Sequence, residues 1–135
     1  MSITRINSLG ITDGTIVNGD INASAAIAST KLTGVNDAKA WVNFDGTGTV
    51  AIRASFNVTS ITDNGTGNYT VNFTTAMSDV NYCALTTGHI FSTGNPENVR
   101  DMAAQDLATG SFRYCSGYTT GTLQDSANNF AAVFR

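Results

Sequence analysis

The sequence predicts an all-β protein in which an extended N-terminal stalk precedes an antiparallel β-sandwich head. Three observations support this fold class. All Trp, Tyr and Phe residues lie beyond residue 40, the segment before them repeats isoleucine at a fixed interval, and short β-branched or aromatic runs then alternate with Gly- and Asn-rich turns. We place the boundary at residue 37, which gives a stalk of residues 1–37 and a head of residues 38–135.

The N-terminal segment repeats an aliphatic residue every five positions, at Ile6, Ile11, Ile16 and Ile21. A period of five fits neither an α-helix, at 3.6 residues per turn, nor a β-strand, at two. One such chain would bury too little apolar surface to offset its backbone entropy, roughly 1–2 kcal/mol per residue. Three chains wound around one axis would bury every isoleucine, so the pattern predicts an intertwined trimeric stalk, with a loose leader as the alternative. Residues 23–32 are rich in helix formers and predict a short helix.

The head contains several runs that are typical of short strands. Residues 50–60 and 68–75 flank a Gly- and Asn-rich turn, and they predict a β-hairpin with a longer loop. In the second run Tyr69, Val71 and Phe73 alternate with hydroxyl and amide residues, so one face of that strand is predicted to be apolar. Further strands are predicted at residues 40–45, 80–87, 110–118 and 129–135.

Short strands, regular turns and a single proline predict a jelly-roll-like sandwich for the head. Trp41 and Val42 give its first strand a large apolar area, and Thr87-Gly88 is interpreted as a turn. The stretch 97–108 fits a long loop, an edge strand or a helical turn, and the sequence leaves this choice open.

Composition excludes several function classes. Only 13% of the 135 residues are charged, about half the usual share, and the formal net charge is −3. Because Lys and Arg are few and scattered, we expect no nucleic-acid partner. No apolar run approaches the roughly 20 residues that cross a bilayer, so membrane insertion is not expected. The N-terminus lacks the apolar core of a signal peptide, which predicts folding in a cytoplasm.

The sequence contains few residues of the types that catalyse reactions or bind metal ions. His89 is the single histidine, and no acid or thiol is placed in sequence to orient it for nucleophile activation, so we predict a surface loop position for it. The aspartates mostly stand beside Gly, Asn or Ser, the setting of Asx turns. No spacing of Cys and His matches a metal-ligand set. We therefore expect no enzymatic activity, no cofactor and no metal site, with a glycosidase carboxylate pair as a minor alternative.

Cys83 and Cys115 are the two cysteines, and both lie in strand-like runs. They are predicted to be free thiols that pack as small core side chains. A disulfide stays possible in principle if their strands are neighbours, although a reducing cytoplasm disfavours it.

Two passages resemble virion proteins of tailed bacteriophages. Residues 13–32, DGTIVNGDINASAAIASTKL, resemble a segment of tail-fibre and related proteins. Residues 38–50, AKAWVNFDGTGTV, and residues 69–77, YTVNFTTAM, resemble the C-terminal β head of phage fibres. The closing run FAAVFR at 130–135 is similar to the ends of those heads.

This resemblance implies a homotrimeric fibre on a virion, assembled in the host cytoplasm, whose N-terminal segment attaches to other capsid or tail proteins. Heads of this kind bind a host-surface glycan or protein. The resemblance does not extend to residues 88–110, so the candidate receptor-facing residues are chosen on chemical grounds, as aromatic, histidine and amide side chains in or beside predicted turns: His89, Phe91, Asn95, Asn98 and Tyr118. Because the chain is short for a tail fibre, a capsid decoration or cement protein without receptor binding is the alternative.

Overall fold

The computed structural model describes residues 37–89, 100–118 and 121–135 of the chain, and these residues contain eight β-strands and no helix. The strands are β1 (Ala38–Asp45), β2 (Ala51–Phe56), β3 (Val58–Asp63), β4 (Asn68–Phe73), β5 (Cys83–His89), β6 (Arg100–Ala108), β7 (Ser111–Tyr118) and β8 (Asn128–Phe134). Several sequence predictions lie outside the described residues: the isoleucine stalk (Ile6, Ile11, Ile16, Ile21), the short helix, and Phe91, Asn95 and Asn98.

The strands form two antiparallel sheets of four strands each. The first sheet has the order β2-β1-β8-β5, and the second has the order β3-β4-β7-β6. Their inner faces pack on each other, so the antiparallel β-sandwich predicted from the sequence is confirmed. At one side the edge strands of the two sheets are tied together, because the Thr86 hydroxyl on β5 donates to the Met102 carbonyl on β6 at 3.0 Å.

Aromatic side chains fill the space between the sheets. Phe44 of the first sheet meets Tyr69 and Tyr114 of the second edge-to-face, with ring centroids 5.2 and 5.3 Å away. Edge-to-face contact places the positive ring edge on the negative ring face, which stabilises the pair beyond its buried area. On β4, Tyr69, Val71 and Phe73 are buried while the residues between them are partly exposed, so the predicted alternation is confirmed.

The predicted strand at 50–60 is wrong, because the chain changes sheets within it. Asn57 has a φ of 55°, a left-handed conformation that ends β2 before β3 begins. The Asn57 amide donates to the carbonyls of Lys39 and Thr75, at 3.0 and 3.1 Å, and its oxygen accepts the Thr75 N–H at 2.7 Å. The hairpin therefore joins β3 to β4, whereas β2 pairs with β1.

The predicted turn at Thr87-Gly88 is also wrong, since β5 continues to His89. A Cβ on Gly88 would lie 2.8 Å from the Asn128 carbonyl oxygen and closer still to the Met102 methyl group. Glycine is required there by close packing rather than by a turn. Within the stretch 97–108, the described residues 100–108 form β6 at the edge of the second sheet, which corresponds to the edge-strand alternative.

Candidate functional site

The outer faces of the two sheets have opposite chemistry. On the first sheet the outward residues are mainly apolar, and we call this surface the apolar face. Its apolar residues are Trp41, Ala54, Phe56, Cys83, Leu85, Phe130, Ala132 and Phe134, and Asn43, Asp45 and Thr87 share the same side. On the second sheet the outward residues are mainly hydroxyls and amides, and we call that surface the polar face; it comprises Ser60, Thr62, Thr70, Asn72, Gln105, Arg113 and Cys115.

One row of the apolar face crosses all four strands. Trp41 on β1 stands opposite Phe56 on β2, and on its other side Ala132 of β8 separates it from Leu85 of β5. The exposed fractions are 40% for Trp41, 54% for Phe56 and 58% for Leu85. These large side chains are lined up on one face rather than scattered singly, so they form an exposed apolar patch.

The small side chain of Ala132 leaves a depression between its large neighbours. This groove has a volume of about 430 Å³ and is walled by Leu85, Phe130 and Phe134, with Ala132 in its floor. Its lining is almost entirely apolar, so the groove suits an aliphatic or aromatic side chain better than a polar ligand.

The charged residues of the first sheet lie on β1 and β2. Arg53 donates from Nη2 to Asp45 Oδ2 at 2.6 Å and from Nη1 to the Ala127 carbonyl, which ties β2 to the segment before β8. The hydroxyl and N–H of Thr47 hold the pKa of Asp45 below its usual value, and Arg53 adds to the shift. Neither β5 nor β8 carries an Asp, Glu, Lys or Arg.

Hydrogen bonds run along the polar face between strands. The Asn72 amide donates to the hydroxyls of Thr62 and Ser60 at 3.0 and 3.2 Å. Further along the face, Arg113 donates from Nη2 to Gln105 Oε1 at 2.7 Å, and its Nε lies 3.0 Å from Asp106 Oδ2. Such a surface is compatible with water on its outer side and offers hydrogen-bonding groups to a ligand.

Of the predicted receptor-facing residues, the structure describes two. Tyr118 is the last residue of β7 and lines a small cleft of about 190 Å³ with Gln105, Cys115 and Leu123. His89 ends β5 in the other sheet, and the predicted loop position for it is wrong because the strand extends through it. Sequence order therefore grouped residues that the described structure assigns to different sheets.

A second cleft, of about 570 Å³, opens near the carboxyl end of β8. Its lining includes Lys39, Asn57, Met77 and Arg135. The Arg135 guanidinium already contacts the Asp79 carboxylate and the Ser78 hydroxyl, so its charge is partly compensated there. Among the described residues that line this cleft, Lys39 supplies the one further positive charge.

The two cysteines are free and lie on opposite outer surfaces. Cys83 is exposed on the apolar face beside Phe134, whereas Cys115 is half-buried on the polar face beside Ala103. The sandwich core separates them, so they do not form a disulfide within one chain. The predicted packing of both thiols in the core is wrong, because both side chains point outward.

The aspartates shape turns, as predicted for several of them. Asp45, Asp63 and Asp79 each accept the backbone N–H two residues further on, at 2.8–2.9 Å, which is an Asx turn. Among the residues that the structure describes, no three His, Cys, Asp or Glu side chains converge as metal ligands. The same residues include no helix of the length and apolarity needed to span a membrane.

Comparison of the chain with protein-family models, with curated proteins and with solved structures found no match. Function is therefore inferred from the residues and their geometry.

The apolar face was not predicted from the sequence, although the sequence contains a signal for it. A strand with one solvent-exposed face alternates apolar and polar residues, whereas a strand that is covered on both faces is apolar throughout. The run Phe130-Ala131-Ala132-Val133-Phe134 is apolar at five consecutive positions. Ala131 and Val133 point into the core, and the other three point outward.

Proposed function

We propose that this chain is a structural protein of a bacteriophage virion, a short homotrimeric fibre whose β head projects from the particle and binds the host surface. Residues 1–37 form the stalk and attach to other capsid or tail proteins, and the head is a jelly-roll-like sandwich. The sequence resemblance over residues 13–77 and 130–135 supports the virion assignment.

The observation that carries the proposal is the contrast between the two outer faces. A head that stands alone in water would gain nothing from exposing Trp41, Phe56 and Leu85 in one row. A head that belongs to an oligomer covers one face with its neighbours and leaves the other in solvent. The polar face, with few charges and many hydrogen-bonding groups, then supplies the surface that meets the host.

Receptor binding by such a head rests on modest contacts repeated in each chain. Hydroxyl and amide groups such as those of Thr70, Asn72 and Gln105 hydrogen-bond to sugars. Tyr118, which lines a cleft together with Gln105, offers an aromatic ring to a sugar ring there. Three linked copies raise the overall affinity without new contacts, because binding of the second and third heads becomes intramolecular.

The purified full-length chain tests this proposal when it is added to host cells before the phage. Saturating protein is expected to occupy the receptors and to reduce phage adsorption several-fold, whereas heat-denatured protein is not. Undiminished adsorption, together with particles that burst more readily when they lack this protein, would instead establish the cement function.

The proposed stalk has its own test in the five-residue repeat. Ile16→Asp places a charge where three chains are proposed to meet, and it is expected to lower the melting temperature of the trimer, because an unpaired charge is costly to bury. Thr15→Asp adds the same charge one position off the repeat and is expected to have little effect. Equal melting temperatures for the two variants would mean that the isoleucines face water.

A further inference from the structure

We propose that copies of this chain meet through the apolar face, so that the outer surface of the first sheet is the interface between heads in the oligomer. This inference rests on the proposed homotrimer and adds to it the surface at which the chains meet. Three observations support it: the exposed apolar area of the face, the lack of charge on β5 and β8, and the shape of the face.

The exposed apolar area of the face fits the apolar centre of an interface. A fully exposed aromatic side chain presents roughly 150–250 Å², so the exposed fractions of Trp41 and Phe56, 40% and 54%, leave about 200 Å² in water. Leu85, which is 58% exposed, adds further apolar area to this value. Each partner of a stable interface buries about 800 Å², with an apolar centre and a polar rim. The three side chains supply the centre, and the rest of the sheet supplies the surroundings.

The lack of charge defines the chemistry of the partner. Trp41, Ala132 and Leu85 form an uncharged row, and the neighbouring row of Asn43, Phe130 and Thr87 adds only an amide and a hydroxyl. A glycan would leave its hydroxyls without partners on such a surface, and that loss is large for buried polar groups. The partner surface must therefore be apolar as well, and the first sheet of another copy meets this requirement.

The shape of the face is suited to contact between identical chains. It combines protruding side chains, Phe56 and Leu85, with a groove of about 430 Å³ over Ala132. The groove is large enough to receive a leucine or phenylalanine side chain from a neighbouring copy. In a closed symmetric oligomer every chain both donates such a side chain and receives one.

Leu85→Asp in the full-length chain tests the interface directly, with Leu123→Asp as the matched control. Leu123 is 42% exposed and lies outside the apolar face, next to Gly117 of β7. Sedimentation equilibrium over a dilution series is expected to show at least a tenfold rise in the dissociation concentration for Leu85→Asp and less than a twofold change for Leu123→Asp. Circular dichroism checks that both variants remain folded.

Cys83 provides a second reporter within the same face. In a Cys115→Ser background it is the single thiol, and its labelling rate with a maleimide reports whether the face is covered. We expect slow labelling where the chain is oligomeric and at least tenfold faster labelling after dilution to the monomer. Slow labelling in the monomer as well would show that another part of the same chain covers the face, and would overturn the second copy as occupant.

The outcomes separate this inference from the proposed function. If the native chain is monomeric at all concentrations, the homotrimer and its interface both fail. If the chain is trimeric but Leu85→Asp leaves the trimer intact and Cys83 labels rapidly in it, the interface lies elsewhere while the homotrimer stands. Dissociation by Leu85→Asp alone, with concentration-dependent protection of Cys83, confirms the inference.

Discussion

The hydroxyl of Tyr69 donates to Asp125 Oδ1 at 2.7 Å, which joins the middle of the second sheet to the segment that leads into β8. The Gly46 carbonyl oxygen lies 2.9 Å from the same hydroxyl, and Asp125 Oδ1 also accepts the Gly67 N–H at 2.7 Å. Three connecting segments of the sandwich thus converge on one buried tyrosine. Because Tyr69 is fully buried, the hydroxyl has no water to replace these partners.

Removing this hydroxyl is expected to destabilise the protein more than removing a hydroxyl that donates to a neutral acceptor. Tyr69→Phe deletes a hydrogen bond to a carboxylate and is expected to lower the free energy of unfolding by about 2 kcal/mol. Tyr114→Phe is the control, because that hydroxyl donates to the neutral Thr87 carbonyl at 2.8 Å; a loss of about 1 kcal/mol is expected there. Urea unfolding measures both, and an equal or larger loss for Tyr114→Phe would contradict the role given to Asp125.

Gly67 next to this cluster is predicted to tolerate no side chain. Its φ is 63°, and a Cβ would lie 2.6 Å from the Gln124 N and closer still to the Ser116 carbonyl oxygen. Both neighbours are backbone atoms that cannot rotate away. Gly67→Ala is therefore expected to lower the free energy of unfolding by more than 3 kcal/mol, well beyond the roughly 1–2 kcal/mol of left-handed strain alone.

Gly48→Ala isolates the strain from the clash. Gly48 has nearly the same φ, 60°, but nothing lies within 4 Å of its Cβ position. We expect this variant to lose only about 1–2 kcal/mol. The difference between the melting temperatures of Gly67→Ala and Gly48→Ala measures the effect of close packing at Gly67. Similar melting temperatures would show that the backbone around Ser116 and Gln124 can shift at little energetic cost.

Asn57 fixes the corner at which the chain passes from the first sheet to the second. Asn57→Gly keeps the conformational freedom needed at a φ of 55° but deletes the three side-chain hydrogen bonds. A loss of about 2 kcal/mol is expected for it, since each net bond contributes roughly 0.5–1.5 kcal/mol. Asn57→Ala also forces a Cβ into the left-handed region and is expected to lose about 1 kcal/mol more. A higher melting temperature for Asn57→Ala than for Asn57→Gly would contradict this account.

The same corner shows where the sequence was insufficient to predict the fold. The strand residues were recognised from their β-branched and aromatic character, and the buried side of β4 followed from its alternation. A single Asn within an otherwise strand-like run gave no sign that the chain changes sheets, because its left-handed conformation depends on distant partners, Lys39 and Thr75. Gly88 was misread for a related reason, since its neighbours come from β6 and β8.

The candidate site was predictable only in part. Trp41 was correctly placed in a strand, but residue type alone does not reveal whether a tryptophan faces the core or the outside. The pairing register supplies that information: Trp41 lies next to Val42, which is 2% exposed, and so must point away from the core. Loop residues were favoured as binding residues on chemical grounds, whereas the exposed apolar face lies on strands.

Alkaline pH is expected to destabilise the fold through its buried tyrosines. Burial raises the pKa of Tyr69, and the Asp125 carboxylate raises it further; burial also raises the pKa of Tyr82. In the unfolded chain both phenols ionise near pH 10. The folded state therefore retains protons that the unfolded state loses. Stability is fully present below about pH 10 and falls as pH rises above it, by up to about 1.4 kcal/mol per pH unit for each tyrosine.

Absorbance at 295 nm in a pH titration is expected to show these two phenols ionising only as the circular dichroism signal is lost. Tyr69→Phe is expected to reduce the pH dependence of unfolding. Ionisation of Tyr69 and Tyr82 near pH 10 in a protein that remains folded would contradict their burial.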